Sequence, residues 1–284
     1  MGRPPIPSQH YAYRLNQVLD HIDNHLDGDL SLEVLAGLAH FSRHHFLRVF
    51  QEWYGEAPMA YVRRRRLEAG AALLRYSADP IGDVAARCGF DTADGFTRAF
   101  RQYFGQAPNR WRAYTPPPAP ELPPLRPWPV RIEQLPAVRV AYTRRVGVYG
   151  EASEAQWRQL SDWIHSQGLG PLVRFGMGLD DPGLTPPARC RYDVCAALPE
   201  TFEPPPRTPI KMILGGPHAV LSYSGPPQGS GAAWVWLLHR WLPHAGHQLA
   251  PRAAFERYPA AQADPNADSQ SCELCLPLLG AGGL

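Results

Sequence analysis

The chain is almost without lysine. Among its 28 basic residues only Lys211 is lysine; the others are arginine. It holds five cysteines and four methionines in 284 residues, and its formal net charge is only +2. Each shortage excludes something. Five thiols (Cys88, Cys190, Cys195, Cys272 and Cys275) are too few, and odd in number, for a disulfide scaffold; they point to a reducing, cytoplasmic setting. A charge this small excludes nucleic-acid binding by bulk field alone. No run approaches the roughly 18 apolar residues of a membrane span. Met1-Gly2-Arg3-Pro4-Pro5 lacks the apolar core of a secretion signal, so no membrane partner is expected. Arginine in place of lysine, beside much Ala, Pro and Gly, reads as genome composition and carries little about function.

What is present divides the chain. Hydrophobic residues make up 44%, enough for packed cores, and about 150 residues per domain suggests two of them. Proline is abundant, 32 residues, and uneven: six fall in residues 1–114 and eight in 115–130. The run Thr115-Pro116-Pro117-Pro118-Ala119-Pro120 cannot be helix or central strand and favours an extended polyproline form. It reads as a linker over 115–128, with a proline-rich ligand for a partner as the other reading. Before it the pattern is helical. Leu15, Val18, Leu19, Ile22 and Leu26 form one stripe, and Leu67, Ala71 and Leu74 another in a helix that Pro58 can start. After it, short alternating runs such as Val138/Val140/Tyr142 and Tyr192/Val194/Ala196 predict strands. Helices are expected around 152–167 and 232–242, which together read as α+β.

The first part contains a repeat. Phe46-Leu47-Arg48-Val49-Phe50 … Gly55-Glu56-Ala57-Pro58 returns 50 residues later as Phe96-Thr97-Arg98-Ala99-Phe100 … Gly105-Gln106-Ala107-Pro108. Each unit is helix, short turn, helix. Ser42 and Thr92 are placed to cap the second helix, and Phe46/Phe50 and Phe96/Phe100 to anchor it inward. Two such units joined by one helix suggest a DNA reader. Arg43, His44, His45 and Arg48 in the first, and Ala93, Asp94, Thr97 and Arg98 in the second, lie off the anchor face. Arginine can bond both acceptors of a guanine edge. The alternative is a helical bundle with solvated polar faces. Arg63-Arg64-Arg65-Arg66 invites a phosphate clamp, but four consecutive helical residues point four ways. One or two backbone contacts are expected, with the others solvated or paired with acids such as Asp20 or Glu68.

The segment Ile81 … Val84-Ala85 … Gly89-Phe90-Asp91-Thr92 … Phe96-Thr97-Arg98-Ala99-Phe100-Arg101 … Gly105-Gln106-Ala107-Pro108 … Trp111-Arg112 resembles the second helix-turn-helix of AraC-type transcription regulators. The resemblance implies an all-α double helix-turn-helix domain over 8–114, double-stranded DNA as partner, and two recognition helices in successive major grooves. Gly95 and Asp94 depart from the usual pattern. The first 115 residues carry a net charge of only +2, so affinity must rest on placed arginines.

The second part also repeats. Residues 141–147 align with 219–225, Trp157/Leu160/Ile164 with Trp234/Leu237/Trp241, and Phe175-Gly176 with Phe255-Glu256. Tyr192-Asp193-Val194-Cys195 aligns with Cys272-Glu273-Leu274-Cys275. This predicts an α+β domain of two pseudo-symmetric strand-helix-strand-strand repeats. Arg131-Ile132-Glu133, Gly147-Val148-Tyr149-Gly150, Thr185-Pro186-Pro187, Arg191-Tyr192-Asp193-Val194 and Phe255-Glu256-Arg257-Tyr258 resemble the GyrI-like (gyrase-inhibitory-protein-like) effector-binding domain, here over 129–280. The order of the two domains is similar to that of Rob-type regulators. The resemblance implies a ligand-responsive regulator with a pocket for lipophilic, often cationic, small molecules. RNA polymerase is a further partner that the architecture allows. Glu256 is the expected pocket carboxylate, with Tyr149, Tyr192, Tyr223, Trp234 and Trp241 as ring partners; Tyr142 and Trp163 belong to the same aromatic supply. The loop Asp264-Pro265-Asn266-Ala267-Asp268 lacks the Thr-Pro-Pro of the first repeat, and Pro226-Pro227 stands where Tyr149 stands in it.

No cofactor or metal is implied. Cys272-x-x-Cys275 and Cys190-x4-Cys195 would put their thiols on opposite faces of strands. The expectation is a regulator and not an enzyme. The alternative is a GyrI-like small-molecule hydrolase fused to a DNA reader, with Glu256 as general base, and a protein-binding scaffold is a third reading.

Overall fold

The computed structural model describes residues 9–113, 128–150, 153–226, 229–250, 252–260 and 270–280. The proline-rich stretch up to residue 127 and the loop 264–268 lie outside them. The chain divides into two compact units, Met1–Thr115 and Pro116–Leu284.

The first unit is helical throughout its described residues. Its helices are α1 (Gln9–Asn24), α2 (Leu32–Leu38), α3 (Arg43–Tyr54), α4 (Pro58–Tyr76), α5 (Ile81–Arg87), α6 (Ala93–Phe104) and α7 (Pro108–Ala113). The stripe on α1 is core: Leu15, Val18, Leu19 and Ile22 are fully buried, with Phe46 and Phe50 of α3 in the same cluster. Pro58 opens α4, where its missing N–H is harmless. The caps work as their chemistry requires. Ser42 Oγ accepts from the His45 N–H at 3.4 Å, and Thr92 Oγ1 from the Gly95 N–H at 3.1 Å. Both capped helices end on a left-handed glycine, Gly55 and Gly105. Two further glycines permit close approach. A Cβ on Gly70 of α4 would lie 2.8 Å from the Phe96 ring of α6. Gly89 has φ +69°, and a Cβ there would sit 2.2 Å from the Leu26 carbonyl.

The second unit is α+β. Its strands are β1 (Val130–Leu135), β2 (Val138–Val146), β3 (Arg174–Gly178), β4 (Arg191–Ala197), β5 (Ile210–Ile213), β6 (Gly216–Gly225), β7 (Phe255–Tyr258) and β8 (Gln270–Pro277). They form one antiparallel sheet ordered β1-β6-β8-β7-β3-β4-β2-β5. α8 (Ser153–Ser166) follows β2 and α9 (Ser230–Trp236) follows β6. α9 runs directly into a π-helical turn, Leu237–Trp241. Leu160 and Ile164 of α8 pack on Val194 and Ala196, one face of the sheet. Strand alternation sends Phe175, Met177, Cys195, Phe255 and Cys275 to the opposite face, where they form a second cluster.

That opposite face also holds buried charge. Asp193 accepts from Arg144 at 2.8 Å and from Lys211 at 2.6 Å. The chain's single lysine is therefore an interior counter-ion. Arg144 and Lys211 both also lie over the Tyr142 ring. On the other half of the sheet Glu273 pairs with Arg131 at 2.5 Å and Arg257 at 2.6 Å.

Candidate functional site

The N-terminal ends of α3 and α6 present matching faces. Ser42, Arg43, His44 and Arg48 are exposed, as are Thr92, Ala93, Asp94 and Arg98 at the equivalent positions. His45 and Gly95 are half-buried in register, and so are Leu47 and Thr97. The residues are not equally available. Arg98 makes no hydrogen bond or ion pair among the described residues. Arg43 meets Glu33 at 2.7 Å, and Arg48 lies 3.8 Å from Glu52, both as exposed surface pairs. Such pairs are worth ~0–1 kcal/mol and yield readily to a stronger partner. His45 is tied inward: its Nε2 is 3.3 Å from Tyr11 Oη, and its ring stands edge-on to Phe41 at 4.7 Å. It fixes α3 against α1.

The four-arginine run is turned mostly to protein, and Glu68 takes two of its members as expected. Arg64 is buried, with Nη2 2.7 Å from Glu56 and Nη1 3.0 Å from Glu68. Arg65 joins Asp23 at 3.1 Å and Glu68 at 3.0 Å. Arg66 donates to the backbone carbonyls of Leu26 and Gly28. Burial opposes the charge on Arg64, but Glu56 and Glu68 raise its pKa above the ordinary arginine value. Three of the four arginines thus bind α4 to α1, to the connection between α1 and α2, and to the α3–α4 turn. The physical reason is that α4 joins the two helix-turn-helix units and is surrounded by them, so most of its directions face protein. Arg63 alone of the four is exposed, donating to Gln102 Oε1 at 3.3 Å.

The second unit gathers rings about one carboxylate. Register places Glu256 of β7 directly opposite Gly176 of β3. Tyr258 Oη donates to Glu256 Oε2 at 2.6 Å, and Tyr192 Oη to the same oxygen at 3.4 Å. Trp234 Nε1, from α9, donates to Oε1 at 3.2 Å. Gly176 makes room: a Cβ there would fall 2.1 Å from Tyr192 Oη and 3.2 Å from Glu256 Oε2. Burial and the Glu256 charge push the hydroxyls of Tyr192 and Tyr258 well above the ordinary phenol pKa, which keeps both as donors.

Glu256 differs from the other enclosed acids of the unit. Asp193, Asp180 and Glu273 each pair with arginine. Among the described residues Glu256 has neutral donors and no cation. A half-buried carboxylate with no counter-charge beside it attracts an external one. The expected rings divide accordingly. Tyr192 and Trp234 reach the carboxylate; Tyr149 meets Tyr192 at a 60° tilt, centroids 5.9 Å apart, while its hydroxyl donates to backbone carbonyls of Asp180 and Arg191. Tyr223 feels the Glu256 charge but donates to the Pro226 carbonyl at 2.7 Å. Trp241 stacks on His247, Trp163 meets Phe202, and Tyr142 faces the buried ion cluster. Two contributors were overlooked in the sequence: Tyr258, and Trp157 of α8, whose ring meets Tyr258 edge-on at 5.3 Å. The i, i+2 spacing of Glu256 and Tyr258 on one strand face was the available signal.

Comparison with known proteins decides the family. A model described as a GyrI-like small molecule binding domain matches residues 129–279, more than half of the chain. The chain belongs to the GyrI-like family. A helix-turn-helix domain model matches residues 35–114 of this GyrI-like protein. Transcriptional regulator Rob of Salmonella typhimurium is 29% identical over 231 residues, 74% of this chain and 78% of that one. Right origin-binding protein of Escherichia coli is 35% identical over 157 residues, 53% of this chain and 52% of its own length, so that match spans about half of the relative. Multiple antibiotic resistance protein MarA of Salmonella typhimurium is 33% identical over 101 residues, 36% of this chain and 80% of that one. The GyrI-like protein is therefore a DNA-binding transcription regulator of AraC helix-turn-helix type that carries a small-molecule-binding domain. Among its described residues no helix is long and apolar enough to cross a membrane.

Proposed function

We propose that this regulator reads promoter DNA through α3 and α6 and senses a lipophilic organic cation at Glu256. Residues 8–114 form the reader, 115–128 the linker and 129–280 the sensor, and the protein acts in the cytoplasm. Arg43, His44, Arg48, Thr97 and Arg98 contact DNA in successive major grooves; Ala93 and Asp94 flank the second face, and His45 orients the first. RNA polymerase is the partner through which promoter occupancy acts on transcription.

The sensor is built of two pseudo-symmetric strand-helix-strand-strand repeats. The strand order β6-β8-β7-β3-β4-β2 supports this, because it reads the same from either end when β6, β7 and β8 are exchanged for β2, β3 and β4. The repeat offset of 80 makes Glu256 the counterpart of Gly176, and register sets these two face to face. The pseudo-twofold axis therefore passes between a glycine and a glutamate. One side supplies the charge and the other supplies the space.

The observation that carries the cation reading is a carboxylate held by Tyr258, Tyr192 and Trp234 with no cation paired to it among the described residues. Ring faces and an uncompensated negative charge suit an organic cation. Sensing is favoured over turnover because Oε2 already accepts from two phenols whose raised pKa values disfavour a phenolate base. Titration calorimetry of the full chain with tetraphenylphosphonium tests the reading. Binding should be lost or weakened at least tenfold in Glu256→Gln, and equal affinity in both proteins removes Glu256 from the site.

A further inference from the structure

Glu256 does not use its two oxygens alike. A carboxylate oxygen has two lone-pair positions. Oε2 accepts from Tyr258 at 2.6 Å and from Tyr192 at 3.4 Å, which fills both. Oε1 accepts from Trp234 alone among the described residues. A bound donor or cation is therefore directed to Oε1, the oxygen that Trp234 holds.

Trp234 sits on a weakly fixed element. α9 is seven residues long, and its first turn has no side-chain cap. It passes into a π-helical turn over Leu237–Trp241, whereas α8, its counterpart in the repeat alignment, is a plain helix of 14 residues. Helices this short hold by packing and not by propensity, and π-turns inside helices mark places where the chain gives way to function. The buried anchors of this segment are Ala233 and Leu237, with the Glu256–Trp234 hydrogen bond beside them.

Two residues along α9, Trp236 meets Trp128 edge-on, with centroids 5.5 Å apart and planes at 72°. Trp128 stands two residues before the start of β1, where the chain coming from the first unit joins the sheet of the second. One short helix thus touches the carboxylate at one residue and the incoming chain at another.

We infer that α9 is the relay of this protein: occupancy of Glu256 loosens Trp234, shifts α9, and changes how Trp236 holds Trp128 ahead of β1. The inference rests on Glu256 being the effector carboxylate only for its trigger. The mechanical link from Trp234 to Trp128 stands or falls without any ligand.

The test labels the full chain with 5-fluorotryptophan and follows fluorine resonances, assigned by single Trp→Phe replacements. Ligand-free Trp234→Phe removes the donor to Oε1. The Trp236 and Trp128 resonances should both move by more than a linewidth, while Trp163, packed on Phe202, stays in place as a control for folding. In Trp236→Leu carrying Trp234→Phe, Trp128 should no longer differ from its position in Trp236→Leu alone. An unmoved Trp128 in Trp234→Phe with Trp163 intact overturns the relay. If Trp163 moves too, Glu256→Gln replaces Trp234→Phe as the milder perturbation, with the same two outcomes. Tetraphenylphosphonium is then added to the wild-type chain. Binding that moves Trp234 and leaves Trp128 fixed overturns the relay, whereas movement of both supports it. Absence of binding counts against the cation reading, and the ligand-free result decides the relay by itself.

Discussion

The arginine run offers the sharpest test of how this reader is held together. Arg64 is 5% exposed and lies between Glu56 and Glu68, with contacts of 2.7 and 3.0 Å. Arg64→Ala removes the shared cation. Glu68 keeps Arg65 at 3.0 Å, whereas Glu56, with its side chain only 11% exposed, loses its 2.7 Å contact with Arg64. Breaking a buried ion pair from one side costs about 3–5 kcal/mol. The surviving Arg65 contact places this variant at the lower end, about 3 kcal/mol. For a domain near 100 residues each kcal/mol moves the midpoint by about 4–8 °C, so a fall of roughly 12–24 °C is expected. Arg63→Ala, one residue away, should stay within about 0.5 kcal/mol, as exposed substitutions do. Thermal unfolding of the full chain, followed by far-ultraviolet circular dichroism where the helical unit dominates, measures both. A loss below about 1 kcal/mol for Arg64→Ala, or an equal loss for Arg63→Ala, refutes the assignment of the run to structure.

Three further outcomes are expected. Arg98→Ala should weaken promoter binding in footprinting by about 1–3 kcal/mol, roughly 5- to 150-fold, with an unchanged melting midpoint; retained footprints would move the reading face elsewhere. Burial alone would raise the Asp193 carboxyl, but Arg144 and Lys211 hold it at about 2, below its ordinary 3.8. A folded pKa below the unfolded one gives stability that is full above about pH 4 and lost as pH falls toward 2; Asp193→Asn should lack that acid-side loss in equilibrium unfolding, though it starts less stable. Burial pushes the thiols of Cys88 and Cys275 up to about 12, so iodoacetamide at pH 8 should label them only after denaturation. Rapid native labelling of either would contradict their burial.

The two halves were legible in the sequence to different depths. In the reader, local chemistry sufficed for the helix ends: Ser42, Thr92, Gly55 and Gly105 specify caps through hydrogen bonds within four residues. The i, i+4 phenylalanines showed which face turns inward, and Phe46, Phe50, Phe96 and Phe100 are fully buried. The arginine run was half legible. Its divergence around the helix followed from geometry, but its partners Asp23, Leu26 and Gly28 lie about 40 residues away and no local signal names them.

In the second unit the internal repeat identified Glu256 as the odd member of a pair. It could not show that Gly176 faces it, because register across a sheet depends on long-range pairing. Only residue type marks the five expected rings, and type does not give direction. Trp241 turns to His247, and Tyr223 points its hydroxyl at Pro226, while Tyr258 and Trp157 enter the cluster unannounced.

By itself the sequence determined the two-part division, the helix-turn-helix units with their caps and anchors, the α+β character of the second half and the mismatch of Glu256 with Gly176 in its internal repeat. These follow from composition and from periodicities that act over a few residues. Tertiary structure decided which arginines remain on the surface, which rings surround Glu256, and how Oε1 and Oε2 divide their partners. Those outcomes depend on which distant segments come within a few ångströms of one another. Hydrogen bonds and ion pairs form only at that range, so folding had to set the distances before the chemistry of the residues could act.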